Sequence, residues 1–213
     1  MKLKTYALLT PIVIASSIQA QTVRTWGGAT GSAWLTTSNW SPTTNFAGEA
    51  LATVSGEGAA TDIMAVAAAN AATNIGLNMN TLTGGAGGLG LTLGGIDFNK
   101  TSTANLLIGN SSTTVNGLLQ LNGATIDGVA KTLVRVDGSA NLTIANVNTG
   151  SGTQTMGLRL GITDGIFQVA GARTLTISSN ITELTASSGF TKTGAGQMIL
   201  SGTNSYTGGT TVN

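Results

Sequence analysis

The sequence predicts an all-β chain folded as stacked coils, and three observations lead there: recurring pairs of apolar residues one position apart, abundant glycine, and scarce charge. The doublets are Leu91-Thr92-Leu93, Leu106-Leu107-Ile108, Leu119-Gln120-Leu121, Leu142-Thr143-Ile144, Leu158-Arg159-Leu160, Leu175-Thr176-Ile177 and Met198-Ile199-Leu200, several of them followed by Gly, Asn or Ser. Each places one side chain inward and the next outward, which is the period of a half-buried strand and not of a helix. Their mean spacing of roughly 18 residues, though uneven, is close to one turn of a β-solenoid, so the pattern predicts one coil per doublet.

The 31 glycines belong at turns. Inside regular elements each would cost roughly 0.5–1 kcal/mol relative to alanine, and their sum would exceed the stability of a domain. Charged residues make up 8% of the chain, against roughly 25% in an ordinary globular domain. The solvated faces must therefore be built from Thr, Asn and Ser, which on successive coils can hydrogen-bond to one another and to turn backbones. A disordered chain is set aside because 41% of the residues are hydrophobic and regularly placed. There is no cysteine, so stability rests on backbone pairing and burial.

Residues 1–20 read as a secretory signal peptide: Lys2 and Lys4 precede an apolar stretch from Tyr6 to Ile18 and a small, polar exit from Ser16 to Ala20. The apolar run carries Thr10 and Pro11 and falls short of the roughly 20 residues that span a bilayer. Cleavage after Ala20 is expected, giving a mature start at Gln21 and leaving no integral membrane segment. Without Lys2 and Lys4, seven basic residues face eight acidic ones, a formal charge of about −1. The remaining cations, Arg24, Lys100, Lys131, Arg135, Arg159, Arg173 and Lys192, are dispersed along the chain, which argues against nucleic acid as a partner.

Residues 21–60 hold all three tryptophans, Trp26, Trp34 and Trp40. They are expected to fold as an aromatic cap over the open edge of the first coil. The alternative is a platform on which a sugar ring stacks, as in a carbohydrate-binding module. Residues 61–188 are assigned to the solenoid coils. Within them Asp62 to Ala72 reads as strand and turn, with a short amphipathic helix capped by Thr61 or Asp62 as the alternative. Gly85-Ala86-Gly87-Gly88-Leu89-Gly90 has the spacing of a dinucleotide-binding loop but is followed by Leu91-Thr92-Leu93-Gly94-Gly95, which cannot start a helix. These are turn glycines, and no cofactor is expected. The stretch also lacks the regular aspartates of calcium-binding repeats, so no metal is expected there.

The absence of histidine and cysteine excludes the Ser-His and Cys-His nucleophilic devices and the commonest zinc sites. Carboxylates remain. Stacked coils would bring two of Asp97, Asp127, Asp137, Asp164 and Glu183 to the roughly 5–10 Å separation used in glycoside hydrolysis. However, Asp127-Gly128, Asp137-Gly138 and Asp164-Gly165 read as turns whose carboxylates bond to their own loops. No catalytic residue is assigned, and a polysaccharide-active enzyme using paired carboxylates is the alternative. The Asn-x-Ser/Thr triplets at Asn39, Asn99, Asn110, Asn141 and Asn180 are chance matches in so Asn- and Thr-rich a chain.

Residues 189–213 read as one complete unit of an extended β architecture. Its defining residues are Lys192, Thr193, Gly194, Gly196, Leu200, Ser201, Gly202, Asn204, Tyr206, Gly208, Thr210 and Val212; Met198, Leu200, Tyr206 and Val212 are spaced as inward positions, and the glycines, Gly209 included, supply positive-φ turns. This segment closely resembles the passenger-associated transport repeat, or autotransporter-associated β-strand repeat, of bacterial secreted passengers, whose pattern is approximately Lys-Thr-Gly-x-Gly-x-Leu-x-Leu-Ser-Gly-x-Asn-x-Tyr-x-Gly-x-Thr-x-Val. The tryptophan segment and Leu93-Gly94-Gly95-Ile96-Asp97-Phe98-Asn99 resemble the entry segment of such passengers.

The resemblance implies a right-handed parallel β-helix or β-solenoid-like passenger with irregular coils and an aromatic amino-terminal cap. It also implies structural or adhesive work, secreted or on a bacterial cell surface, with a repeat that assists export by folding outside the cell. The implied partners are surface glycans or other cell-surface proteins and the export machinery. Self-association through the open end of the solenoid is expected as well, because the chain stops one strand after Gly209. No series of alternating ten-residue strands follows Asn213, so either a longer protein or a separate transport machine is expected.

Overall fold

The computed structural model describes residues 21–28, 40–41, 62–66, 70–71, 73–77, 89–110, 116–149 and 151–213. The signal-peptide assignment, Trp34 and Gly85 to Gly88 lie outside these residues. The described chain forms β1 (Val23–Trp26), β2 (Trp40–Ser41), β3 (Ile63–Val66), β4 (Asn74–Leu77), β5 (Leu89–Leu93), β6 (Gly95–Phe98), β7 (Leu106–Asn110), β8 (Gly117–Leu121) and β9 (Ala124–Ile126). It continues through β10 (Val129–Val136), β11 (Leu142–Asn148), β12 (Met156–Leu160), β13 (Gly165–Val169), β14 (Thr174–Ile177), β15 (Ile181–Glu183), β16 (Phe190–Thr193), β17 (Gln197–Leu200) and β18 (Thr210–Val212).

These strands stack into three sheets that the chain visits in rotation. The first is ordered β18-β16-β13-β10-β6-β3-β1-β2, with β9 beside β10; the second is β17-β14-β11-β7-β4; the third is β15-β12-β8-β5. Every pairing is parallel except β1 with β2 and β9 with β10. The protein is an all-β solenoid. Of the segment from Asp62 to Ala72, residues 63–66 form strand β3, and no helix is present among its described residues.

In-register stacking turns each inward position into a column. Leu106, Leu142, Leu175 and Met198 form one on the second sheet, and Leu91, Leu119, Leu158 and Ile181 one on the third. On the first sheet the column runs Arg24, Met64, Ile96, Val134, Phe167, Lys192, Val212. All but Val212 are buried, and the apolar members join one continuous core. Each fully buried Leu or Ile contributes about 1.5–3 kcal/mol of transfer free energy.

The expected period is corrected. Doublets of the second and third sheets alternate along the chain, so a coil holds two of them plus a strand of the first sheet. Equivalent corners lie 36 and 33 residues apart at Asn105, Asn141 and Thr174, and 39 apart at Asn116 and Thr155. In the terminal repeat the spacing shortens to 23, from Asn180 to Thr203. The 18-residue step counted two faces as one. It also overlooked Ile96-Asp97-Phe98, Val134-Arg135-Val136 and Phe167-Gln168-Val169, the inward pairs of the first sheet.

The corners carry the polar bonding expected of a charge-poor solenoid. Asn105 Oδ1 accepts from Asn141 N at 3.0 Å, Asn141 Oδ1 from Thr174 N at 2.9 Å, and Asn116 Oδ1 from Thr155 N at 2.9 Å. One excursion interrupts the coils. The hairpin of β9 and β10 turns at Asp127 (φ 50°) and Gly128 (φ 76°), the two left-handed residues that a tight hairpin turn requires. It folds over the outside of the first sheet and packs Ala124 and Ile126 on Ile63. Gln21, with its amide oriented to satisfy both atoms, accepts from Thr125 N at 2.9 Å and donates to Thr125 O at 3.3 Å.

Candidate functional site

The terminal repeat adds strands to the first and second sheets. On β16, Phe190 and Lys192 point inward, while Thr193 stands beside Gln168 on the solvent side. Phe190 meets the Phe167 ring edge-on at 4.9 Å and the Tyr206 ring at 5.4 Å. Tyr206 Oη bonds Thr210 Oγ1 at 2.7 Å, which ties the loop before β18 to the strand itself. Lys192 is only 7% exposed, and its Nζ donates to the Gly194 carbonyl. Leu200 stacks on Ile177, Ser201 N donates to Ile177 O, and Asn204 Oδ1 accepts from Ile181 N at 3.0 Å.

The repeat's glycines are there for a different reason from the one expected. Only Gly194 adopts positive φ, at 82°. A Cβ on Gly196, Gly202 or Gly208 would instead collide with the backbone of the preceding coil, at Ala170, Ser179 and Gly189 respectively. Close approach between coils, and not turn conformation, selects glycine at these three positions. Gly209 shows neither constraint.

Past this coil the inner wall opens. Phe190, Lys192, Gly196, Met198, Leu200, Thr210 and Val212 line an apolar mouth of about 210 Å³. No carboxylate lies in that lining.

Three of the five carboxylates meet elsewhere, around a cation. Arg135 reaches Asp97 at 3.3 Å, Asp127 at 3.2 Å and Asp137 at 2.6 Å on the outer side of the first sheet. Burial pushes the Asp97 carboxyl above its ordinary value; Arg135 opposes that shift, and the charges of Asp127 and Asp137 add to it. Asp127 and Asp137 were expected to bond to their own loops, but a guanidinium is the stronger acceptor-seeking partner and gathers them instead. Asp164 keeps the turn role (φ 57°), and its carboxylate stands 3.8 Å from the exposed Lys131. Glu183 holds the terminal repeat through two hydrogen bonds from Thr207 and accepts a third from Ser188, just before the repeat.

Trp26 is fully buried at the inward end of β1 and therefore offers no face to a sugar. Its register partner is Trp40 on β2, which runs antiparallel along the outer edge of β1. The sequence reading missed that Arg24 is also internal: its Nε donates to Asp62 at 2.6 Å, both side chains being almost wholly buried. Strict alternation with Trp26 was the available signal, since β1 must place Arg24 and Trp26 on one face.

The fold and this repeat define the class: an all-β parallel solenoid carrying a passenger-associated transport repeat. The family model of the Passenger-associated-transport-repeat matches residues 190–213. Over 133 residues the chain is 36% identical to the Adhesin BmaC autotransporter of Brucella suis biovar 1 (strain 1330), a match covering 62% of this chain. It spans only 3% of that much longer protein. No solved structure shows a significant match.

Proposed function

We propose that the chain is part of a secreted or cell-surface passenger with a structural or adhesive role, and that its repeat assists export by folding outside the cell. The observation that carries this reading is the docking of the repeat: residues 190–213 extend two sheets in register, on Phe167, Leu175 and Ile177. A coil that adds to a folded template at the cell exterior opposes backsliding of the chain through its exit. Surface glycans or cell-surface proteins are the proposed targets and the export machinery the proposed transient partner. Catalysis is no part of the proposal: Asp97, Asp127 and Asp137 share the Arg135 guanidinium, and none of them lines the apolar mouth.

The test is surface display of the natural full-length protein bearing Leu200→Asp with Tyr206→Asp, which places two charges in the repeat's packed face. Protease shaving and whole-cell antibody staining are expected to show several-fold less surface protein at unchanged precursor level. Undiminished surface protein with a locally melted repeat would overturn the export role. Mass-spectrometric reading of the exported amino terminus is expected to find Gln21, and an intact Met1 would remove the signal-peptide assignment.

A further inference from the structure

Glu183 occupies a place where the solenoid otherwise puts leucine. On the third sheet it stacks in register on Leu160, which stacks on Leu121. It also lies upstream of the segment that matches the transport repeat. Its two carboxylate oxygens are used by two successive coil corners. Oε2 accepts from Ser188 N and from Thr207 N, both at 3.0 Å, and Oε1 accepts from Thr207 Oγ1 at 2.8 Å. Thr207 Oγ1 in turn accepts from Ser187 N at 2.9 Å. Between these corners the backbones touch: Gly208 N donates to Ser188 O, and a Cβ on Gly208 would overlap the Gly189 backbone.

We propose that Glu183 is a carboxylate latch that closes the last corner of the transport repeat, residues 205–209, onto the preceding coil, and that protonation opens this corner while the strands stay paired. The inference stands apart from the export role, since it concerns only how the repeat is held. Three donors converge on the ionised form, two on Oε2 and one on Oε1, and a protonated carboxyl loses acceptor capacity at one of these oxygens.

The hydrogen bonds from Thr207, aided by that from Ser188, hold the Glu183 carboxyl below its ordinary value. With the folded-state value lowered, the latch contributes fully above the unfolded value and is lost as pH falls through the folded one, in the acid range below about 4.5. The other titratable groups on neighbouring elements are engaged elsewhere: Arg159 Nε on Gln120, Lys192 Nζ on the Gly194 carbonyl, and Tyr206 Oη on Thr210.

Amide exchange by NMR on the full chain, with Glu183→Gln and Thr207→Val as independent variants, tests this. At pH 6, protection at Ser187, Ser188 and Thr207 is expected to fall at least tenfold in either variant, with Lys192 and Leu200 unchanged. In the unmodified chain the same three amides are expected to lose protection on acidification, with the midpoint of the Glu183 carboxyl resonance and below its ordinary value. If the variants do not fold, that titration alone decides. Unchanged protection in the folded variants, or a Thr207 amide that ignores the Glu183 titration, would overturn the latch.

Discussion

Arg24 and Lys192 sit in a column whose intervening members are Met64, Ile96, Val134 and Phe167, so the first sheet carries a buried cation near each described end of its apolar stack. A charge so placed needs an acceptor, and Asp62 supplies one for Arg24 at 2.6 Å. Removing Asp62 takes that acceptor from a buried guanidinium. Asp62→Ala is therefore expected to destabilise the protein by about 3–5 kcal/mol, read as a shifted urea midpoint. Combining it with Arg24→Met should recover most of the loss. An unchanged midpoint for the single variant would show that Arg24 draws its stabilisation from other partners. Trp26, one pleat away, tests apolar burial: Trp26→Ala is expected to cost about 3–5 kcal/mol.

Among elements, the β9–β10 hairpin separates backbone conformation from packing most cleanly. Gly128 has φ 76°, and a Cβ there would meet nothing within 4 Å. Gly128→Ala therefore charges only the left-handed backbone, about 1–2 kcal/mol, and thermal denaturation should show that loss without any change in the coils' amide protection. The corner asparagines give a second element-level expectation. Asn141→Ala strips the acceptor from Thr174 N, and about 1 kcal/mol with faster exchange at Thr174 is expected.

The turn at Asp127-Gly128 was legible in advance, because Asp-Gly favours left-handed backbone, but that it closes an antiparallel hairpin was not, since Asp137-Gly138 reads the same and forms none. The strand faces were legible too, since a two-residue alternation survives any three-dimensional arrangement. The coil length was not legible: Leu106 and Leu119 look alike in sequence yet lie on different sheets, and only pairing distinguishes them. Nor was the three-carboxylate cluster, because Asp97 and Arg135 are 38 residues apart and meet only when β6 pairs with β10. The repeat's residues were found, but the reason for its glycines depends on a neighbouring backbone that no local pattern contains.

At the scale of the whole molecule, burial fades toward one end of the solenoid. Inward positions of β13 and β14 are buried, whereas β17 alternates between exposed and half-buried and β18 is exposed throughout. Val212 continues the column of Phe167 and Lys192 yet is 72% exposed, and it borders the apolar mouth together with Met198 and Leu200. A sheet end of this kind presents unpaired N–H and C=O groups beside apolar side chains, a template for another strand. Residues 21–213 in isolation are therefore expected to associate with concentration through this surface. Sedimentation velocity should show a dimer or larger species emerging, and amide exchange should slow in β17 and β18 as it does. Val212→Asp with Met198→Asp is expected to return the protein to a monomer without unfolding the coils before β16, because both side chains lie on the open face. A sharply melting monomer at high concentration, with Met198 to Val212 already fully protected, would mean that the exposed coil is complete as it stands and needs no strand beyond its own.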